Sequence, residues 1–104
     1  VFGIQQIGSE IPREFSLYQN YPNPFNPVTK IKFDVKAKGK SENAKINLRV
    51  FDLLGKEVIK LVEGELSPGI YEVDYDASNL PSGVYFYKLV SGEFSESKRM
   101  VLVK

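Results

Sequence analysis

The sequence predicts an all-β protein, folded as an antiparallel β-sandwich of about seven strands. Segments such as Val28–Val35 and Ala44–Phe51 alternate apolar and polar residues, which is the period of a strand with one buried face. Turn-forming residues separate these segments at the regular intervals typical of sandwiches. No segment has helical periodicity over a useful length. The length of 104 residues suits one domain with one core.

The predicted strands follow one another with short connections. In the second of them, Ile31 and Phe33 share one face while Lys30 and Lys32 share the other. Clusters of Gly, Pro, Ser and Asn between strands mark the turns. The seven strands are a short one around Phe15–Tyr18, followed by Val28–Val35, Ala44–Phe51, Glu57–Val62, Ile70–Asp76, Val84–Val90 and Phe94–Lys104.

Charge on the outward faces predicts one strand pairing. If the second strand lies antiparallel to the fifth, Lys30 and Lys32 face Glu72 and Asp74 across the ladder. Such exposed pairs contribute only about 0.2–1 kcal/mol each, so they set register more than stability. This is how strand B lies beside strand E in immunoglobulin-like sheets.

Two turns resemble each other. Leu66–Tyr71 and Leu80–Tyr85 each place a Leu, a Pro and a Gly just before a strand whose second residue is Tyr. In immunoglobulin-like sandwiches a tyrosine near the start of a late strand bonds back to the preceding corner, and we assign this role to Tyr85. The alternative is a pair of exposed tyrosines that grip a sugar or a base, and the structural role is the more common one.

The segment Tyr18–Pro27, YQNYPNPFNP, combines prolines with aromatic residues. Proline fixes φ and pushes the preceding residue out of the α region, so no helix runs through this segment. Its aromatic side chains need a dry partner, unlike those of a disordered linker. We expect the segment to fold over Phe86. The residues given this structural role are Tyr21, Pro22, Pro24, Phe25, Pro27 and Phe86.

The last two predicted strands are apolar on both faces. In Val84–Val90, the face that alternates with the tyrosines is apolar apart from Lys88, and the final strand ends in MVLVK. Either the proline-rich segment and a neighbouring domain cover these strands, or the strands present an apolar patch to a partner.

Composition excludes several classes of function. With 42% hydrophobic residues, 26% charged residues and a net charge of +1, the chain has no global attraction to nucleic acid or to an anionic membrane. Because Cys and His are absent, it cannot form a zinc finger, a Cys/His nucleophile pair, a Ser/His/Asp triad or a disulfide framework. We predict a non-catalytic domain without cofactor, metal or stable membrane insertion. Since the first residue is Val1, we also expect a piece of a longer polypeptide.

Four stretches together resemble the C-terminal sorting domain, type A, of the type IX (Por) secretion system of Gram-negative bacteria. They are YQNYPNPFNPVTKIKFDV, VFDLLGKEV, LSPGIYEVDYDASNLPSGVYFYKL and SKRMVLVK, and the resemblance covers about residues 12–104. It implies an immunoglobulin-like sandwich that directs an exported cargo protein through the periplasm to the cell surface or the extracellular space. It also implies that an outer-membrane translocon recognises the domain and that a cell-surface sortase removes it.

The resemblance places the signal regions of the family on three stretches of this chain. The first two include the similar turns described above, and the third is the final strand. The residues are Pro68, Gly69 and Tyr71; Ser82, Gly83, Val84 and Tyr85; and Lys98, Arg99, Met100, Val101, Leu102, Val103 and Lys104.

The resemblance also predicts the domain organisation. Residues 1–13 would link a preceding cargo domain to a sorting domain at residues 14–104, and cleavage would fall within Val1–Glu14, which has no clear strand pattern. Two features depart from the family: the loop Lys36–Asn43 is longer than expected, and Val28 replaces a small hydroxyl residue. Both bear on a loop conformation rather than on the terminal motifs.

A physical mechanism fits a signal that ends in a strand. A terminal strand with one free edge offers unpaired N–H and C=O groups, to which a receptor adds its own strand. We expect Met100–Lys104 to present this edge. Either Met100 and Leu102 or Val101 and Val103 would dock, while Lys98, Arg99 and Lys104 steer the encounter.

Three other classes of function compete with this prediction. A carbohydrate-binding module would need an exposed row of planar aromatics, for which only Phe86, Tyr18 and Tyr21 are available. A structural immunoglobulin-like accessory module of a larger secreted enzyme would need no partner beyond its own chain. An enzyme is disfavoured, because alternating, solvent-facing acids on a strand are usually only a polar face. The acids in question are Glu63, Glu65, Asp74 and Asp76.

Overall fold

The computed structural model describes residues 3–37, 39 and 42–104 and is all-β throughout these ranges, which confirms the predicted fold class. Within them the chain forms eight strands: β1 (Ile4–Gly8), β2 (Ser16–Leu17), β3 (Val28–Val35), β4 (Ala44–Phe51), β5 (Glu57–Leu66), β6 (Gly69–Asp76), β7 (Gly83–Ser91) and β8 (Phe94–Leu102). None of the described residues belongs to a helix that could cross a bilayer.

The strands form two antiparallel sheets that pack into an immunoglobulin-like sandwich. One sheet has the order β1-β6-β3-β2 and the other has the order β5-β4-β7-β8. Alternate side chains of the longer strands β3, β4, β6, β7 and β8 point between the sheets, so that the core is built from β-branched, aliphatic and aromatic residues. The largest fully buried side chains are Tyr75, Tyr87, Phe25, Phe33, Ile31, Ile46, Leu48, Leu89, Met100, Leu102, Val35 and Val50.

The predicted pairing of β3 with β6 is confirmed, with Lys30 opposite Asp74 and Lys32 opposite Glu72. The Nζ atom of Lys30 lies 2.7 Å from an oxygen of Asp74 and 3.5 Å from an oxygen of Glu72. Lys32 instead places its Nζ 4.5 Å from the ring centroid of Tyr18. Lys30 therefore contacts both acids, and the hydrogen bond that it donates to Asp74 raises the pKa of Lys30.

The expectation that Val1–Glu14 lacks a strand is wrong for part of this segment. Residues Ile4–Gly8 form β1, which pairs antiparallel with β6 at the edge of its sheet. The sequence IQQIG has no period-two alternation because β1 is exposed on both faces and is held by its main chain. The first two residues of the predicted linker, Val1 and Phe2, lie outside the described residues.

The long loop predicted at Lys36–Asn43 is only partly described. Lys38, Lys40 and Ser41 lie outside the described residues. The parts on either side lead out of β3 and into β4.

Candidate functional site

Two tyrosines lock the corners that precede β6 and β7. The hydroxyl of Tyr85 donates to the carbonyl of Pro81 at 2.7 Å, which confirms the predicted corner. The hydroxyl of Tyr71 donates to the carbonyl of Ser67 at the same distance. Both rings are 6% exposed. The two similar turns therefore have the same tyrosine corner. The corner at Tyr71 is not among the predictions above, although the repeated Leu, Pro, Gly and Tyr pattern indicates it.

The glycines of these two turns adopt a backbone conformation that other residues rarely reach. Gly69 has φ of +156° and Gly83 has φ of +157°. At Gly69 a Cβ atom would also lie only 3.1 Å from the carbonyl oxygen of Gly8. Gly69 therefore permits the close approach of β1 to the start of β6.

The structure brings together two of the three predicted signal regions. Val84 of β7 lies opposite Val101 of β8. The hydroxyl of Ser82 accepts a hydrogen bond from the backbone N–H of Lys104 at 3.0 Å, and the Nζ of Lys104 donates to the carbonyl of Ser78. The corner before β7 and the chain end thus form one continuous surface.

The third predicted signal region lies elsewhere. Gly69 pairs with Val35 at one end of β6, whereas Ala77 at the other end donates to the carbonyl of Pro27. The eight residue-to-residue steps from Gly69 to Ala77 span roughly 25 Å of extended chain. Pro68, Gly69 and Tyr71 are therefore at the opposite end of the sandwich from the other two signal regions.

The expectation that Met100–Lys104 presents a free edge is wrong. The N–H of Phe25 donates to the carbonyl of Val101, and the N–H of Val103 donates to the carbonyl of Phe25, both at 2.9 Å. The side-chain oxygen of Asn23 accepts the N–H of Val101 at 2.9 Å. The proline-rich segment thus pairs in parallel with the end of β8, because Phe25, unlike its proline neighbours, has an N–H to donate.

Phe25 anchors this cover. Its side chain is 1% exposed and belongs to the core between the sheets. Tyr21 is 79% exposed by contrast. The peptide bonds before Pro22 and Pro24 are cis. Pro27 is half-buried, and its carbonyl accepts from Ala77.

The proline-rich segment does not cover Phe86, contrary to expectation. Its contacts with β7 are made instead through Tyr87, whose hydroxyl donates to the carbonyl of Tyr18 and accepts from the N–H of Asn20, both at 2.7 Å. Tyr87 points into the core, and burial raises its pKa to about 12. Neighbouring residues of a strand point to opposite faces, so Phe86 lies on the outer face of the sheet, where it is half-buried beside Phe51.

The side chains at the end of β8 divide between the two faces of the sheet. Met100 and Leu102 are 0% and 1% exposed, which makes them part of the core. Val101 is half-buried on the outer face, and Val103 beyond the strand is 48% exposed. Of the two pairs considered for docking, only Val101 and Val103 are accessible.

Charged residues surround this surface. Arg99 is exposed opposite Phe86, and Lys104 is exposed at the chain end. Lys98 lies on the other face of β8, where its Nζ is 3.4 Å from an oxygen of Glu96. The outward side chains Val84, Arg99, Val101, Val103 and Lys104 are called the tail face below.

The aromatic residues considered for carbohydrate binding do not form a row. Tyr18 lies on the outer face of the first sheet, where its hydroxyl donates to Asp34 at 2.6 Å and Lys32 covers its ring. Phe86 lies on the outer face of the second sheet. Across the described ranges no group of three or more acidic side chains is close enough together to hold a metal ion.

An open cleft of about 700 Å³ lies at one end of the sandwich. The rings of Phe15 and Phe94 lie 5.4 Å apart at this cleft, and Lys36 and Lys45 contribute to its lining. None of the predicted signal residues lines it.

Comparison with known proteins identifies the family. The secretion system C-terminal sorting domain family matches residues 19–104, which include all three signal regions and both corner tyrosines. No curated protein and no solved structure matches the chain. The family is not a catalytic one, and its members act with the type IX secretion machinery and a preceding cargo region. The chain therefore belongs to the secretion system C-terminal sorting domain family, and it is a sorting signal that directs export across the outer membrane to the cell surface or the extracellular space.

Proposed function

We propose that the type IX outer-membrane translocon recognises this domain through the side chains of the tail face. The observation that carries the proposal is the parallel pairing of Phe25 with the end of β8. Because this pairing occupies the backbone groups of Val101 and Val103, a receptor has outward side chains to read there rather than an open strand edge. Val101 and Val103 supply apolar contact, and Arg99 and Lys104 supply steering charge.

The three signal regions then have different tasks. The residues Ser82, Gly83 and Val84 lie beside the chain end, and Ser82 holds the backbone of Lys104. Tyr85, Met100 and Leu102 act by keeping this surface folded, since their side chains are buried. Pro68, Gly69 and Tyr71 act at the far end of β6, where they shape the corner and admit β1. Lys98 contributes positive charge that steers the encounter with the translocon.

A cell-surface sortase then removes the domain by cutting within Val1–Glu14. The cargo domain would precede this segment, and the sandwich would begin near Glu14, with β1 added to its edge. In this proposal the domain performs no catalysis and needs no cofactor. A structural accessory module is not favoured, because the family is a family of sorting signals. A carbohydrate-binding module is not favoured either, because Tyr18 and Phe86 of this domain lie on the outer faces of different sheets.

The test compares two double variants of the domain fused to a reporter in a bacterium with a type IX system. Val101→Asp with Val103→Asp places two charges on the tail face. Ser95→Asp with Ser97→Asp places the same charges on the same face of β8, nearer its start, where both serines are exposed. We expect the first pair to lower reporter at the cell surface by at least about tenfold, as loss of a buried contact does, and the second pair to leave it near the parent level.

Circular dichroism and thermal unfolding of both purified variants separate recognition from folding. Deletion of Arg99–Lys104 is less informative, because it removes Met100 and Leu102 from the core. If a folded Val101→Asp, Val103→Asp variant reaches the surface as efficiently as the parent, the translocon does not read the tail face.

A further inference from the structure

The edge of β6 is covered by a strand that is weakly held. All but the last residue of β1 are exposed, and its ladder joins Gln5 to Glu72 and Gly8 to Ile70 across an irregular register. Among the described residues Ile4 borders a groove formed with β5, whereas the side-chain hydrogen bond of Gln6, to the carbonyl of Gly8 at 3.0 Å, lies within β1 itself. The attachment of β1 is therefore mostly backbone pairing.

Covalent continuity keeps β1 in place. While the chain is intact, β1 docks as an intramolecular segment at an effective concentration of about millimolar. Between Gly8 and Ser16 no residue is in a strand, and Ser9, Glu10, Arg13 and Glu14 are exposed. A cut in this stretch makes β1 a separate ligand, and a few backbone hydrogen bonds do not outweigh its lost translational freedom.

The acidic side chains of β6 indicate which kind of segment would pair with its uncovered edge more favourably than β1 does. β1 carries no charged residue, although Gln5 lies opposite Glu72 and Gly3 accepts the N–H of Asp74 at 3.0 Å. Within the described part of the chain, both acids form their ion pairs with Lys30, which approaches from the β3 side. Pairing with a second copy of β6 would set acids against acids, which is unfavourable. Cationic residues opposite Glu72 and Asp74 would be favourable.

We propose that the edge of β6 beneath β1 is an acceptor site for an extended segment of another protein that alternates cationic and aliphatic residues. Cleavage in Ser9–Glu14 opens the site. The aliphatic residue takes the position of Ile4, opposite Val73, and the cations take those of Gly3 and Gln5. This proposal rests on the processing step of the proposed function, and it gives the released domain a binding edge that the unprocessed domain lacks.

The test uses the full chain with the recognition sequence of a specific protease inserted between Glu10 and Ile11. After cleavage and gel filtration, we expect the Asp74 amide to exchange with solvent at least about tenfold faster. The probe is the peptide Lys-Ile-Lys-Gln-Ile-Gly, which is the Gly3–Gly8 sequence with lysine at its first and third positions. We expect it to shift the Glu72 and Asp74 amide signals of the cut chain only, and to bind at least about fivefold more tightly than Glu-Ile-Glu-Gln-Ile-Gly.

A matched pair of variants opens the edge without a cut. The N–H of Asp74 donates to the carbonyl of Gly3. Because hydrogen-bonded and non-hydrogen-bonded pairs alternate along an antiparallel ladder, Gln5 is the next residue of β1 to bond with β6, and the N–H of Gln6 points away from β6. Gln5→Pro therefore removes a ladder hydrogen bond, whereas Gln6→Pro does not. We expect the lysine peptide to bind the uncut Gln5→Pro chain and not the Gln6→Pro chain.

Three outcomes would overturn the proposal: retained protection of Asp74 after the cut, equal binding of the two peptides, or equal binding to cut and uncut chains. The assay uses purified protein and does not depend on export. Its failure would leave tail-face recognition standing, and a failed export test would leave the acceptor site standing.

Discussion

At the scale of single residues, the signal motifs divide into residues that build the fold and residues that face outward. Tyr71 and Tyr85 are buried, and each hydroxyl donates to a carbonyl four residues earlier. Val103 is half-exposed on the surface. Membership of a signal motif therefore does not by itself make a residue a candidate contact with a partner. Some motif residues shape the corner that holds the outward residues in place.

Tyr85→Phe tests the corner. The substitution removes the hydrogen bond to Pro81 and keeps the ring, so we expect the free energy of unfolding to fall by about 0.5–1.5 kcal/mol. Urea denaturation measures this loss. Export of a fused reporter should stay near the parent level while the domain is folded. Tyr21→Phe, at a side chain that is 79% exposed, is the control and should change neither quantity. A Tyr85→Phe domain of full stability that is not exported would show direct contact instead.

Alkaline pH tests the buried hydroxyl of Tyr87. Burial raises its pKa to about 12 from the ordinary value of 10.0. Between these values the unfolded chain has lost the proton and the folded chain keeps it, so stability is complete below about pH 10 and falls as pH rises toward 12. One proton corresponds to about 1.4 kcal/mol per pH unit. We expect Tyr87→Phe to unfold with a shallower pH dependence across this window, as measured by urea denaturation, and an unchanged slope would contradict the assigned burial effect.

At the scale of elements, the proline-rich segment acts as a short parallel partner of β8. Its bridge to Leu102 joins residues that are far apart in sequence, and no local pattern encodes such a pairing. The alternation of residues predicted β3, β4 and β6, and charge predicted the pairing of β3 with β6. Local patterns did not reveal β1, because IQQIG shows neither alternation nor a buried face. The prediction that the proline-rich segment covers Phe86 failed for a similar reason. Its composition indicates that its aromatic side chains pack against the sandwich, but not against which face of β7.

Phe25→Ala tests this element. Removal of a side chain that is 1% exposed is expected to lower the free energy of unfolding by about 3–5 kcal/mol. If part of the domain stays folded, the amides of Val101 and Val103 should lose protection from hydrogen exchange before those of Leu48 and Tyr87. Asn26→Ala, at an exposed neighbour, is the control. Loss of protection throughout the sandwich at once would show that the segment is not a separate cover.

At the scale of the whole molecule, the sandwich separates three tasks in space. The tail face lies at the outer side of β7 and β8, the proline-rich segment closes the nearby strand edge, and β1 covers the β6 edge of the other sheet. The end of the chain and the two corners could each be recognised in the sequence, because each is marked by a local pattern of residues. Their spatial grouping depended on strand order, which places Ser82 beside Lys104 and leaves Gly69 at the far end. In the intact chain β1 pairs with β6, and the proline-rich segment pairs with the end of β8.

Site-specific crosslinking in cells tests whether the secretion machinery contacts the outward side chains of the tail face. A photoreactive amino acid replaces Val103 in one variant and Ser95 in the other, both on exposed positions of the same sheet face. We expect the Val103 variant to yield a covalent adduct with an outer-membrane component of the type IX system, identified by mass spectrometry, and the Ser95 variant to yield none. Adducts from Ser95 alone, or equal adducts from both positions, would contradict this expectation.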